Sequence, residues 1–116
     1  MSMGEENRRF PRIPVNAFVR FYEEVRLSRK YLHGIIKNYS RGGMFIATKH
    51  LLARGTIVTI EIPLETETQE LAIVQVRGFV RRVRDERGEE GIGIEFFELR
   101  DGEHEAFEKW MMSLSQ

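Results

Sequence analysis

From Thr56 to Ile62 the chain alternates strictly. Val58, Ile60 and Ile62 fall on one side of an extended backbone, and Ile57, Thr59 and Glu61 on the other. Successive side chains of a strand point to opposite faces, so a period of two fits a strand and not a helix. Pro63 has no N–H to give to a ladder and is expected to end the run.

Other segments repeat the pattern. Ala17, Val19 and Phe21 alternate with Phe18, Arg20 and Tyr22, and Glu23-Glu24 either bends the chain or carries the strand into Val25. Tyr31 to Lys37 reads as a strand in which Gly34 marks a bulge. Met44 to Ala47 is a short strand, and Leu51-Leu52 is an apolar pair placed to plug the core. After an acidic loop from Leu64 to Glu70, Leu71 to Val83 forms the longest extended run, with a bend or bulge expected at Gly78. Asp85 to Glu89 is a turn. Gly91 to Phe96 returns with Ile92, Ile94 and Phe96 on one face. The period then changes. Asp101 suits a helix cap, and Phe107, Trp110, Met111 and Leu114 form one apolar stripe at helical spacing, read as a lid on an open barrel end. Six or seven short strands and a terminal helix predict an all-β antiparallel barrel with a C-terminal helix.

Several function classes drop out. The 116 residues suit one domain. No apolar run nears the roughly 20 residues of a membrane span, and the polar start Met1 to Glu6 is not a signal peptide. Without cysteine there is no disulfide framework or thiol chemistry, which fits a reducing, cytoplasmic setting. His33, His50 and His104 lack metal-ligand spacing. Ser40 has no nucleophile elbow around it, and no phosphate loop is present. A non-enzyme without cofactor or metal is expected.

Charge is uneven within a net of zero. Residues 1–60 carry eleven Lys and Arg against four Asp and Glu, and residues 61–116 carry seven against fourteen. Arginine supplies fourteen of the eighteen basic residues, and its planar fork matches phosphate and guanine edges as lysine cannot. A basic first half suits an anionic partner of limited size. Phe18, Phe21, Tyr22 and Tyr31 offer stacking surfaces for a single-stranded nucleic acid, but the acidic second half argues against one.

Two stretches carry the candidate chemistry. Residues 1–12 have no periodic apolar pattern and read as a flexible arm, with Arg8, Arg9, Phe10, Pro11 and Arg12 at its end. Asn38-Tyr39-Ser40-Arg41-Gly42-Gly43 is a polar bend. Read alone, it is either an ordinary turn or a nest of N–H groups for an anion. Asn38 and Ser40 share a face if the strand before them reaches that far. Arg8 and Arg12 lie roughly 13 Å apart on an extended arm. Ordering an arm costs about 1–2 kcal/mol per residue, while each charge-assisted hydrogen bond returns roughly 1.5–3 kcal/mol. Two forked arginines could therefore order three or four residues around a dianion, whereas one contact to a single charge could not.

Arg8-x-x-x-Arg12 followed by Asn38-x-Ser40-x-x-Gly43 resembles the paired RxxxR and [D/N]xSxxG motifs of the PilZ domain family. The strand pattern, Gly91-Ile-Gly93-Ile-Glu95-Phe96 and the terminal helix are similar to the rest of that domain, over about residues 7–114. The resemblance implies a six-stranded antiparallel β-barrel that binds cyclic di-GMP. Residues 1–12 would be the arm and residues 13–116 the barrel with its helix. Arg8 and Arg12 would be the main clamps, Arg9 a secondary or stacking contact, Asn38 a guanine-edge contact, Ser40 a hydroxyl contact and Gly43 a close backbone approach. Asn38 stands where many members have Asp, which implies a lower affinity. The resemblance leaves two readings: a sensor that orders its arm on the ligand and signals through another protein, or an adaptor that binds protein without nucleotide.

Overall fold

A computed structural model describes residues 13–24, 30–65 and 71–97. Six strands are found: β1 (Ile13–Glu23), β2 (Leu32–Ser40), β3 (Gly43–Ala47), β4 (Ile57–Glu65), β5 (Leu71–Arg84) and β6 (Gly91–Phe96). They close into a barrel in the order β1-β2-β3-β6-β5-β4, every neighbouring pair antiparallel. Closure leaves every described strand paired on both sides, apart from strand ends that outrun a partner. The helix expected from Asp101 to Leu114 and the arm expected over residues 1–12 lie outside the described residues, among which there is no helix.

The alternating residues supply the core. Val58, Ile60 and Ile62 from β4 are fully buried, together with Phe21, Ile36, Ile46, Val80 and Ile92. Burying a side chain of this size contributes about 1.5–3 kcal/mol. Leu51 and Leu52 pack against this cluster, as an apolar plug should. Thr48 secures the exit of β3: its hydroxyl donates to the His33 carbonyl at 2.9 Å and accepts from the His50 N–H at 3.1 Å.

Three local expectations are corrected. β4 does not stop at Pro63 but runs on to Glu65, with Pro63 paired to Ile73 of β5. The β1–β4 register reaches only Arg20↔Glu61, two residues short of the proline. Proline is accommodated where one side of a strand lacks a partner. Gly34 and Gly78 are not bulges. A Cβ at Gly34 would lie 2.5 Å from Ile46 Cγ2, and one at Gly78 would lie 2.4 Å from the Glu95 carbonyl oxygen. Both are glycine because another strand passes too closely for a side chain. The register shifts fall elsewhere, between Pro14 and Ala17 of β1, between Ile36 and Asn38 of β2, and between Val80 and Arg82 of β5.

Candidate ligand site on the outer face of the barrel

The shift in β2 decides which way the polar bend faces. Ile36 and Tyr39 are both buried in the core although they are three residues apart. Regular alternation would send them to opposite faces. Lys37 is the extra residue: Ile36 pairs with Ile46 and Asn38 with Phe45, so two steps along β2 match one step along β3. A bulge of this kind reverses the facing of everything beyond it. Asn38 and Ser40 are thereby set on the outer face, on either side of the inward Tyr39.

The corner itself is tight. β2 ends at Ser40 and β3 begins at Gly43, so Arg41 and Gly42 alone make the turn, with Arg41 exposed at its tip. The Ser40 hydroxyl is buried and donates a long hydrogen bond, 3.5 Å, to the Gly43 carbonyl. The Phe96 N–H donates to the Gly42 carbonyl at 2.9 Å and ties the turn to β6. A Cβ at Gly43 would lie 2.0 Å from the Ile94 carbonyl oxygen. At Gly43 the backbone of β3 thus runs too close to β6 for any side chain.

The described part of the N-terminal strand begins beside this corner. Ile13 pairs with Tyr39, and Pro14 with Asn38. Arg12 is bonded directly to Ile13, so its Cα is about 3.8 Å from that of a residue paired with Tyr39. Arg8, five residues before Ile13, is tethered within about 18 Å of it. Arg8, Arg9 and Arg12 themselves lie outside the described residues.

Register carries the outer face onward. Asn38 pairs with Phe45, Phe45 with Gly93, and Gly93 with Arg82, giving one row across β2, β3, β6 and β5. A second row runs through Ser40, Gly43, Glu95 and Phe79. Arg81, exposed at the β5 shift, donates to Glu95. A third row joins Ala47, Gly91 and Arg84. The Phe45 ring leans onto Gly91, where a Cβ would meet its Cζ at 2.3 Å, and the Arg84 guanidinium stacks 5.3 Å from the ring centre. Phe45, Gly93 and Arg82 were missed by sequence reasoning. They are seven to fifty-five residues from Asn38 in the chain, and only the strand register reveals the juxtaposition.

The other outer face, on β1, β4 and β5, is built differently. Glu61 is buried there and holds Arg20 Nε at 2.6 Å and Gln75 Nε2 at 2.8 Å. Glu24 accepts two hydrogen bonds from the Arg77 guanidinium, at 2.7 and 2.8 Å, and one from the Thr59 hydroxyl. The hydrogen bond to Glu24, then its charge, raises the pKa of the exposed Arg77 above the ordinary guanidinium value. Arg20 also lies over the Tyr31 ring at 4.6 Å, and Arg77 over Phe97 at 5.6 Å. Among the described residues no cluster of three or more His, Asp or Glu could hold a metal ion, and no helix is long and apolar enough to cross a membrane.

The PilZ domain family model matches residues 6–113 of the chain. Among solved structures, the PilZ domain with c-di-GMP of YcgR from Escherichia coli superposes with a TM-score of 0.67 at 16% identity, over 93% of this chain and 91% of that one. The Bacillus subtilis inhibitor of motility, MotI/DgrA, superposes with a TM-score of 0.68 at 20% identity, over 92% of this chain. The chain spans half the length of that second protein. At these identities the likeness is one of fold. No curated protein matches the sequence.

Proposed function

The chain belongs to the PilZ domain family, and from that premise we propose that it is a receptor for cyclic di-GMP. The ligand lies over the outer face at Asn38 and Ser40, with Arg8 and Arg12 closing on it from the arm. Arg9 serves as a secondary contact, and Gly43 keeps the corner tight. The observation that supports this most is the pairing of Ile13 with Tyr39 and of Pro14 with Asn38. It tethers the last arginine of one motif to the strand pair that carries the other, although Arg12 and Asn38 are 26 positions apart in the chain.

The chemistry agrees with the assignment. Arginine forked onto O6 and N7 is the usual physical match for guanine, and the same fork suits a phosphodiester. Asn38 offers one acceptor and two donors to a base edge. It supplies no negative charge for guanine N–H groups, so binding is weaker than with Asp at this position. The protein acts as a receptor and not as an enzyme. Ligand binding orders the arm against the barrel, and the altered surface is read by another protein in the cytoplasm.

Calorimetry tests this directly. Cyclic di-GMP should bind saturably, and Arg12→Ala should weaken binding at least tenfold through loss of roughly 1.5–3 kcal/mol. Absence of binding to the wild type at high micromolar ligand would instead favour a protein-binding adaptor that takes no nucleotide.

A further inference from the structure

The β4–β5 hairpin is longer than the strands on either side of it. The β1–β4 register ends at Arg20↔Glu61, while β4 runs on to Glu65. The β5–β6 register begins at Gly78↔Phe96, while β5 starts at Leu71. From Ile62↔Val74 to Glu65↔Leu71 the hairpin is thus a two-stranded ribbon with no neighbouring strand among the described residues.

Its two edges differ. The Ile57 carbonyl accepts the Glu24 N–H at 2.9 Å, so Ile57 and every second residue after it direct their backbone polar groups toward β1. Pro63 falls in that series, and its missing N–H blunts the β4 edge. On β5, the Arg77 carbonyl accepts the Phe97 N–H at 3.0 Å. The same alternation turns the N–H and C=O groups of Gln75, Ile73 and Leu71 toward that side. Nothing among the described residues pairs with them there. From Leu71 to Val76 the strand has no proline and no charged residue, and so lacks the usual guards against pairing.

The surface beside this edge is apolar. Arg20, Glu61 and Gln75 form one hydrogen-bonded row across β1, β4 and β5. Two positions further along the same strands stand Phe18, Pro63 and Ile73, all exposed. Phe18 is 77% exposed and Ile73 54%. Single exposed apolar side chains are ordinary, but a row of them that ends at an unpaired strand edge marks a contact surface.

We infer that the β5 edge is a dimerisation site, where a second copy of this chain pairs antiparallel through Leu71 to Gln75 about a two-fold axis at Ile73. The edge is its own complement, as an isologous contact requires. The axis sets Leu71 opposite the copy's Gln75 and the two Ile73 residues opposite each other. Each of these pairs then exchanges both of its backbone hydrogen bonds. No charge meets its like along the segment. On the outer face the two Ile73 side chains meet, and the two rows of Phe18, Pro63 and Ile73 join into one band. A foreign strand would use the same backbone groups, but a second copy always brings the matching apolar row. Neither Asn38 nor Ser40 takes part, so the dimer is independent of the receptor reading.

Sedimentation of the full chain without ligand tests it. The wild type should show a monomer–dimer equilibrium. Ile73→Lys should raise the dimer dissociation constant about tenfold or more, because like charges then stand directly opposite each other. Its melting temperature should not change, since Ile73 is exposed. The chain has no cysteine, so Ile73→Cys places a single thiol on the axis. A hydrogen-bonded antiparallel pair holds its Cα atoms about 5.5 Å apart, within disulfide range, and mild oxidation should give a covalent dimer. Phe18→Cys, more exposed but two strands from the edge, should not. A wild type that stays monomeric at high micromolar concentration overturns the inference and leaves the edge to a foreign strand. A dimer that Ile73→Lys leaves intact, or one in which Phe18→Cys cross-links as readily as Ile73→Cys, overturns it too, because the contact then lies elsewhere.

Discussion

The two outer faces of the barrel use the same residue type to opposite ends. On β1, β4 and β5, Arg20 and Arg77 each sit across from a carboxylate, and the row is closed by Gln75 or Thr59. On β2, β3 and β6, the corresponding rows hold Asn38, Ser40, Phe45 and two glycines, and the arginines that border them, Arg82 and Arg84, have no such acid opposite. β5 belongs to both faces and changes character at its register shift between Val80 and Arg82. An arginine on a sheet is a structural part when register sets an acid beside it. Beside Arg82 and Arg84 register sets a glycine instead.

The largest expected effect breaks the β2–β3–β6 face. Gly43→Ala would drive a Cβ against the Ile94 carbonyl oxygen, so β3 and β6 must separate. Overpacking of this kind costs about 1–3 kcal/mol, occasionally more, seen as a lower urea midpoint. A loss under about 0.5 kcal/mol, the range of ordinary surface substitutions, would mean the seam yields and the glycine is not required by packing.

A smaller effect should mark the paired face. Glu61→Ala strands the Arg20 guanidinium and the Gln75 amide beside a buried site. Arg20 is 42% exposed at its side chain and can turn to water, so the expected loss is about 1–3 kcal/mol, short of that for a fully buried pair. Cyclic di-GMP affinity should stay within twofold. A parallel loss of affinity would show that the two faces are coupled and the contrast drawn here is too sharp.

The smallest effect belongs to Arg77. Its pairing with Glu24 raises the guanidinium pKa in the folded state. A raised value stabilises the fold below the ordinary guanidinium range and is lost only as pH rises through the folded value. Melting temperatures of wild type and Arg77→Gln should therefore differ by a constant small amount between about pH 6 and 9, where arginine does not titrate. The pair is exposed, so that difference should shrink with added salt. A difference that grew with salt would remove the ion pair as its cause.

Much of the barrel was legible because its signal is local. Val58, Ile60 and Ile62 alternate, and all three are buried. Leu51 and Leu52, an apolar pair in a connecting segment, pack against the core as expected. The failures also have a common cause. Gly34 and Gly78 look like bulges in the sequence, yet each is dictated by an atom of a distant strand. The shift in β2 falls at Lys37, which carries no mark of irregularity, and the one in β5 falls at Arg81 within a run of arginines. Pro63 stays within a strand because the pairing beside it has already ended.

At the candidate site the same division holds. That Asn38 and Ser40 share a face follows from their spacing. That the face is the outer one follows from the extra residue at Lys37, without which both would point inward with Ile36.

The order of residues alone determined that this chain makes strands, that an arginine motif precedes a polar corner, and which family pattern the two compose. The folded barrel decided that the corner faces outward, that Ile13 docks beside it, and that Gly93 and Arg82 lie on its row. Strand formation depends on neighbours along the chain, whereas register depends on atoms that meet only when the barrel closes.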